Sequence, residues 1–230
     1  MSVSMIITAY ERGPLLERSL KALGDLTPPD EIIVIDDGSY TRGVRQAVEN
    51  APSHLNIEYV YNNRPGSQNP CQPRNVALKM AQGDEILVTE PEILFVTDVV
   101  AQLLNARTLY PDGLLHESWC FHEPRSGVSL EDCDRVPGFY AHLIRKDWLM
   151  EVGGWDEAMP GAWGWDDILL YGRLSYNGHQ RVGLEGILLR HQWHESRVEP
   201  AVENEAYARS REYPRDLVAN AGQEWGRILT

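Results

Sequence analysis

Four short apolar runs in the first hundred residues, separated by segments of a different period, restrict this chain more than any other feature. Residues 3–9 (VSMIITA) and 31–36 (EIIVID) are short and lack strict polar alternation, the pattern of strands covered on both faces. Residues 56–61 (NIEYVY) and 84–89 (DEILVT) predict a third and a fourth strand. Between the first two, Leu16, Leu20 and Leu23 recur at helical spacing before GDLTPPD breaks the run. Residues 41–50 and 73–83 predict two further helices, and Thr97 and Asp98 precede another that runs through Leu104. This alternation implies an α/β fold: a mostly parallel central sheet with helices on both faces. Ligands of such sheets bind beyond the carboxyl ends of the strands. Three polar strand ends converge there: Thr8, Ala9 and Tyr10; Asp36 and Asp37; Glu90 and Glu92.

The second half is less regular. Residues 114–121 and 138–144 predict strands, and a short helix starts at Lys146. The run VGGWDE reads as a turn, and WGWDDILLYGRLSYNGH as a helix ended by Asn177-Gly178. GLEGILLRHQWH is a late strand. With 230 residues the chain is expected to form one domain over 1–197, divided into halves 1–95 and 96–197, followed by a charged helical tail over 198–230.

The net charge of −13 opposes nucleic acid and anionic lipid as partners, because phosphate would be repelled over most of the surface. Cys71, Cys120 and Cys133 form no CxxC pair, so neither a disulfide framework nor a cysteine-zinc site is favoured. The N-terminus lacks a basic, signal-like region, and no run reaches the ~20 apolar residues of a membrane span. A cytoplasmic protein is the expectation.

A doubly wound pattern first suggests a dinucleotide enzyme, yet no GxGxxG or P-loop follows strand one, where TAYERGP stands. The ordered series VSMIITAYER, LERSLKAL, DEIIVIDDGS, PRNVALKMAQGDEILV, GGWDE and WGWDDILLYGRL…NGH instead resembles family 2 glycosyltransferases, which have the GT-A fold. Order makes this series more specific than any one motif. Its Trp-Gly-Trp-acidic-acidic segment is similar to that of galactosyl- and N-acetylgalactosaminyl-transferases.

The resemblance implies roles. Asp37, beside Asp36, would accept a hydrogen bond from the donor base, usually uracil, whose N3–H suits a pure acceptor. Thr8, Ala9 and Tyr10 would belong to the same nucleotide subsite. Glu90-Pro91-Glu92 occupies the place of an Asp-x-Asp that positions a divalent cation, Mn2+ or Mg2+, on the donor diphosphate. Alternation would put both glutamates on one side of an extended segment. A histidine after the late strand would join them: His191 first, or His194, since residues three apart on a strand face opposite ways. Asp167 matches the general base and Asp166 the acidic residue before it, while Leu169 stands where the family has a third acidic residue. Gly154 falls in the acceptor-side turn, and Trp163 and Trp165 offer faces for sugars. Arg74, beside a helix start, suits a diphosphate by charge, although an arginine there is as readily solvent-facing.

The expected function is transfer of a sugar from a nucleotide-diphosphate donor, of the UDP-sugar type, to a hydroxyl of a glycan, lipid-linked or small-molecule acceptor, with inversion. Two other classes fit parts of the pattern: a non-catalytic sugar-nucleotide or glycan binding module, and a sugar nucleotidyltransferase.

Overall fold

The structure is a computed structural model that describes residues 1–64, 69–125, 133–137, 139–162, 164–195 and 202–230. Trp163 and Gly138 lie outside the described residues. Strand β1 (Val3–Ala9) lies inside a seven-stranded sheet, between β2 (Glu31–Asp36) and β4 (Glu85–Thr89), parallel to both. Strand β3 (Ile57–Tyr61) closes one edge parallel to β2. On the other side, β9 (Ala141–Arg145) runs antiparallel between β4 and β6 (Gly113–Glu117). Strand β10 (Gln180–Leu184) forms the far edge parallel to β6. The sheet is therefore mostly parallel, with one reversed strand.

Period-two alternation along β1 divides the core between the two faces. Val3, Met5, Ile7 and Ala9 pack with α1 (Gly13–Leu23), α2 (Gly43–Glu49) and α4 (Val99–Leu109). Ile6, with Ile33 and Ile35 of β2, packs against α3 (Cys71–Met80), α5 (Lys146–Glu151) and α6 (Asp166–Tyr176). Leu16, Leu20 and Leu23 form the inward stripe of α1, and Pro14 fits its first turn, where a missing N–H costs nothing. Each such side chain, fully buried, contributes about 1.5–3 kcal/mol.

A second, four-stranded sheet carries β5 (Ile93–Phe95), β11 (Leu189–His191), β7 (Trp119–His122) and β8 (Asp134–Pro137) in that order. The single strand expected over 114–121 is thus two strands, broken at Ser118, whose halves serve different sheets. The expected helical tail is helical only in α7 (Val202–Arg209); 210–230 consists of turns and irregular chain. Among the described residues no helix is long and apolar enough to cross a membrane.

Candidate active site

The carboxyl ends of β1 and β4, the start of α6 and the second sheet enclose a cavity of about 580 Å³. Its lining includes Thr8, Tyr10, Arg74, Glu90, Glu92, Trp165, Asp166, Asp167, His191 and His194. Residues from both halves of the chain therefore meet at one rim.

The acidic pair is launched from unusual backbone. Gly164 has φ +88° and Trp165 φ +69°, so a bulky residue adopts the left-handed conformation just before α6. That conformation costs on the order of 1–3 kcal/mol and persists only where surroundings impose it. Asn204 of α7, fully buried, supplies part of that constraint. Its Nδ2 donates to Gly164 O (3.0 Å), and its Oδ1 accepts from Gly161 N (2.6 Å). The Arg209 guanidinium lies 5.2 Å from the Trp165 ring centre.

Asp166 and Asp167 then differ in what holds them. Asp166 is buried and pairs with the Arg74 guanidinium. Asp167 keeps 28% of its side chain exposed and stands 3.3 Å from the same guanidinium. Burial, then the adjacent charge of Asp166, pushes the Asp167 carboxyl up to about 7, against the pull of Arg74. Arg74 is also 3.3 Å from Glu90. Burial disfavours its charge, but Asp167, Asp166 and Glu90 outweigh that and raise its pKa. The arginine expected to meet a diphosphate is instead engaged by three carboxylates of the protein.

The Glu90-Pro91-Glu92 segment is a turn, not the extended segment expected, with Ile93 N donating to Glu90 O (3.1 Å). Glu90 consequently faces Arg74, while Glu92 faces the histidines. Glu92 Oε1 lies 3.2 Å from His194 Nε2 and 3.8 Å from His191 Nε2. Ligand atoms of these three residues all fall within 4.8 Å of one another. The two histidines were expected to face opposite ways, but β11 ends at His191; residues 192–195 leave the strand, and His194 returns to the same side.

This donor set fits a divalent cation. Glu92 Oε2 is buried without a hydrogen-bond partner among the described residues. Burial holds His191 down at about 4, so its imidazole is neutral at physiological pH. His194 Nδ1 lies between Glu195 O (3.1 Å) and the Arg12 guanidinium (3.2 Å), while its Nε2 faces Glu92. The Glu92 carboxyl is raised by burial, but His194, His191 and Arg12 outweigh this and lower it.

The carboxylates at the end of β2, Asp36 and Asp37, do not line this cavity. Asp36 closes its own turn: Oδ1 accepts from Ser39 N (3.0 Å) and Oδ2 from Tyr59 OH (2.8 Å). Asp37 is buried, with Asn62 Nδ2 at 2.9 Å and Arg64 Nε at 3.4 Å from its Oδ1. Ala9 is buried and its carbonyl accepts from Asp37 N (2.8 Å), so its part is to fix that backbone. Gly154 does not line the cavity. It has φ +71°, and an added Cβ would come 2.3 Å from Asn75 Oδ1, so the glycine serves close approach of Asn75.

Sequence reasoning missed Arg12, His122, Phe139 and Tyr140, which also line the cavity. His122 stacks on His191 with ring centres 4.4 Å apart, and Tyr140 meets both edge-on. His122 stands in the run HESWCFHE, but only the break at Ser118, which sends β7 into the second sheet, brings it to the site.

Residues 4–104 match the family model described as "Glycosyl transferase family 2". No curated protein sequence matches the chain. Among solved structures, S. aureus TarS is 18% identical with a TM-score of 0.66, covering 84% of this chain and 37% of TarS. The mannosyltransferase PcManGT from Pyrobaculum calidifontis, in complex with GDP-Man and Mn2+, is 20% identical with a TM-score of 0.61, covering 82% of this chain and 56% of that one. GalNAc-T7 with UDP, GalNAc and Mn2+ is 15% identical with a TM-score of 0.71, covering 90% of this chain and 47% of that one. The chain thus spans less than two thirds of each of these proteins. The shared architecture gives this chain the GT-A fold, and its segment 4–104 is similar to glycosyl transferase family 2.

Proposed function

We propose that the protein transfers a sugar from a nucleoside-diphosphate donor, of the UDP-sugar type, to an acceptor hydroxyl with inversion. The observation that carries this reading is the shared cavity, into which Asp167 and the Glu92–His191–His194 cluster both open. Asp167 accepts the proton of the acceptor hydroxyl as its oxygen attacks the anomeric carbon; the bond from that carbon to the diphosphate oxygen breaks in the same displacement. A carboxyl poised near 7 is matched to that task at neutral pH, and Arg74, 3.3 Å from Asp167 and paired with Asp166, holds the acid pair together. Glu92, His191 and His194 would hold a divalent cation, which would supply charge neutralisation for the departing diphosphate. Arg74 then acts on the acid pair, and Glu90 on Arg74, so neither is assigned to phosphate or metal. Asp37 takes the base N3–H, with Thr8 and Tyr10 lining the way to it. Trp165, with Phe139 and Tyr140, offers an aromatic wall to the acceptor.

The test is a thermal-shift panel of UDP, GDP and UDP-sugars with and without Mn2+, followed by assay of UDP release. Stabilisation by UDP that requires metal, and UDP release abolished by Asp167→Asn, are the expected results. Metal-dependent UDP binding with turnover unchanged in Asp167→Asn would reject the assignment of the base.

A further inference from the structure

The irregular segment after α7 ends against the carboxyl end of β3, where its backbone both donates and accepts hydrogen bonds. Leu229 N donates to Asn62 Oδ1 (2.9 Å), and Asn63 N donates to Leu229 O (2.8 Å). One residue pair thus stitches 229 to the end of β3. Two residues earlier, Arg227 O accepts from Gln72 Nε2. Gly226 adds a third tie, since its N–H donates to Glu157 Oε1 (2.8 Å) and a Cβ there would meet Asn75 O at 2.7 Å.

These bonds decide how the carboxamides of buried Asn62 and half-buried Gln72 face. A side-chain amide has a donor end and an acceptor end, and a network of fixed partners determines which is which. Arg227 O takes the donor end of Gln72, so Gln72 Oε1 faces Asn62 and accepts from its Nδ2 (2.8 Å). Leu229 N–H takes the acceptor end of Asn62, so Nδ2 faces inward. The remaining N–H of that nitrogen donates to Asp37 Oδ1 (2.9 Å). Asn62 is completely buried, so no solvent replaces any of these partners. Released from Leu229 and Gln72, the carboxamide loses the partners that fix its Nδ2 at Asp37, and only the Asp37 carboxylate itself still selects its donor end.

We propose that segment 226–229 is a positioning element for Asp37: through Leu229, Gln72 and Asn62 it guarantees that the carboxylate meets a donor and stays an ionised acceptor for a nucleotide base. The role of the base rests on the function proposed above; the coupling of the segment to Asp37 does not. The charges acting on Asp37 are consistent with a delicate balance. Burial raises its pKa, Arg64 and Asn62 lower it, and Asp36 raises it again. Removing the Asn62 donor leaves burial and Asp36 opposed by Arg64 alone.

Two substitutions separate the backbone donor from side-chain packing. Leu229→Pro removes the N–H that holds Asn62, whereas Leu229→Ala keeps it and trims a side chain that is 40% exposed. The first readout is the titration of the Asp37 carboxyl carbon by NMR in the intact protein. Leu229→Pro and Asn62→Ala should move its midpoint upward, while Leu229→Ala leaves it in place. The second is UDP affinity by calorimetry with Mn2+ present, and donor KM against kcat. A five- to tenfold weaker Kd and higher KM with kcat unchanged are expected for Leu229→Pro, with Leu229→Ala within twofold of the parent. An Asp37 titration unmoved by Leu229→Pro and Asn62→Ala in folded protein overturns the proposal. If the parent itself binds no UDP, the function assigned to Asp37 fails while its titration still decides whether the segment controls it.

Discussion

Arg74 Nη1 stands 3.3 Å from Asp167 Oδ1 while the same nitrogen pairs with Asp166, so an arginine of α3 sets the charge of the acid pair that opens α6. Removing it leaves buried Asp166 without a counter-ion, a change that typically costs about 3–5 kcal/mol. Arg74→Ala is therefore expected to lower the unfolding midpoint strongly. Arg74→Lys keeps one charge but loses the fork that reaches Asp166, Asp167 and Glu90 together. It should fold, with turnover reduced ten- to a hundredfold, measured as UDP release under saturating donor. A lysine variant with full activity would mean that charge alone, not the fork, sets the acid pair.

The pH profile follows from Asp167. Burial and Asp166 raise its carboxyl to about 7, and a general base works only when deprotonated. kcat/KM should then fall about tenfold per unit of pH below that value and level off above it. Because Arg74 pulls this pKa down, Arg74→Lys, with its charge less closely placed, should shift the acid limb to higher pH. A flat profile between pH 5 and 8 in the parent would count against Asp167 as the base.

What was legible in the sequence depended on the range of the interactions. Strands Val3–Ala9 and Glu31–Asp36 are buried on both faces, so a local apolar run suffices to mark them. Asp166 and Asp167 were visible because a helix start is also local. The cluster of Glu92 with both histidines was not: period-two reasoning holds along a strand, and the chain leaves β11 immediately after His191. Glu90 was misplaced for a related reason, since Pro91 initiates a turn rather than stiffening an extended run. Arg74 was read as open because its three partners come from β4's end and from α6, far along the chain. Gly154 was read as a site residue because its motif says only that a glycine is needed. The contact that needs it, with Asn75, belongs to another element.

Metal preference should follow the donor set. One carboxylate and two imidazoles favour Mn2+ or Co2+, which accept imidazole nitrogen, over Mg2+, which prefers oxygen and keeps its waters. Calorimetry is expected to give at least tenfold tighter binding of Mn2+ than of Mg2+. His194→Ala and Glu92→Gln should each weaken Mn2+ by tenfold or more, and Glu90→Gln by less than threefold. Equal losses for Glu90→Gln and Glu92→Gln would restore Glu90 to the cluster.

Gly154 yields a stability prediction without a binding one. Alanine there would carry a Cβ at φ +71°, 2.3 Å from Asn75 Oδ1, and Asn75 holds the turn by accepting from Trp155 N (2.9 Å). Gly154→Ala is expected to destabilise by roughly 1–3 kcal/mol, read from denaturant unfolding. At temperatures where the variant is folded, its donor KM should match the parent's.

Asn204 joins stability to catalysis. It bridges Gly161 N and Gly164 O, on either side of residue 163, and so holds the left-handed Trp165 that starts α6. Asn204→Ala leaves two backbone groups of that loop without this partner, at about 1–3 kcal/mol for each that stays buried. The loop's alternative is to relax, letting Trp165 leave its strained conformation and turning the first residues of α6. Asp167 would then lose its orientation although no cavity residue was changed. The expected signature is a kcat reduced at least tenfold, with UDP affinity within twofold of the parent because the nucleotide side is untouched. Asn204→Asp, which keeps the acceptor for Gly161 N but not the donor to Gly164 O, should fall between the two. A variant destabilised by the full amount yet equal to the parent in kcat would show that Asn204 holds the loop without holding the base.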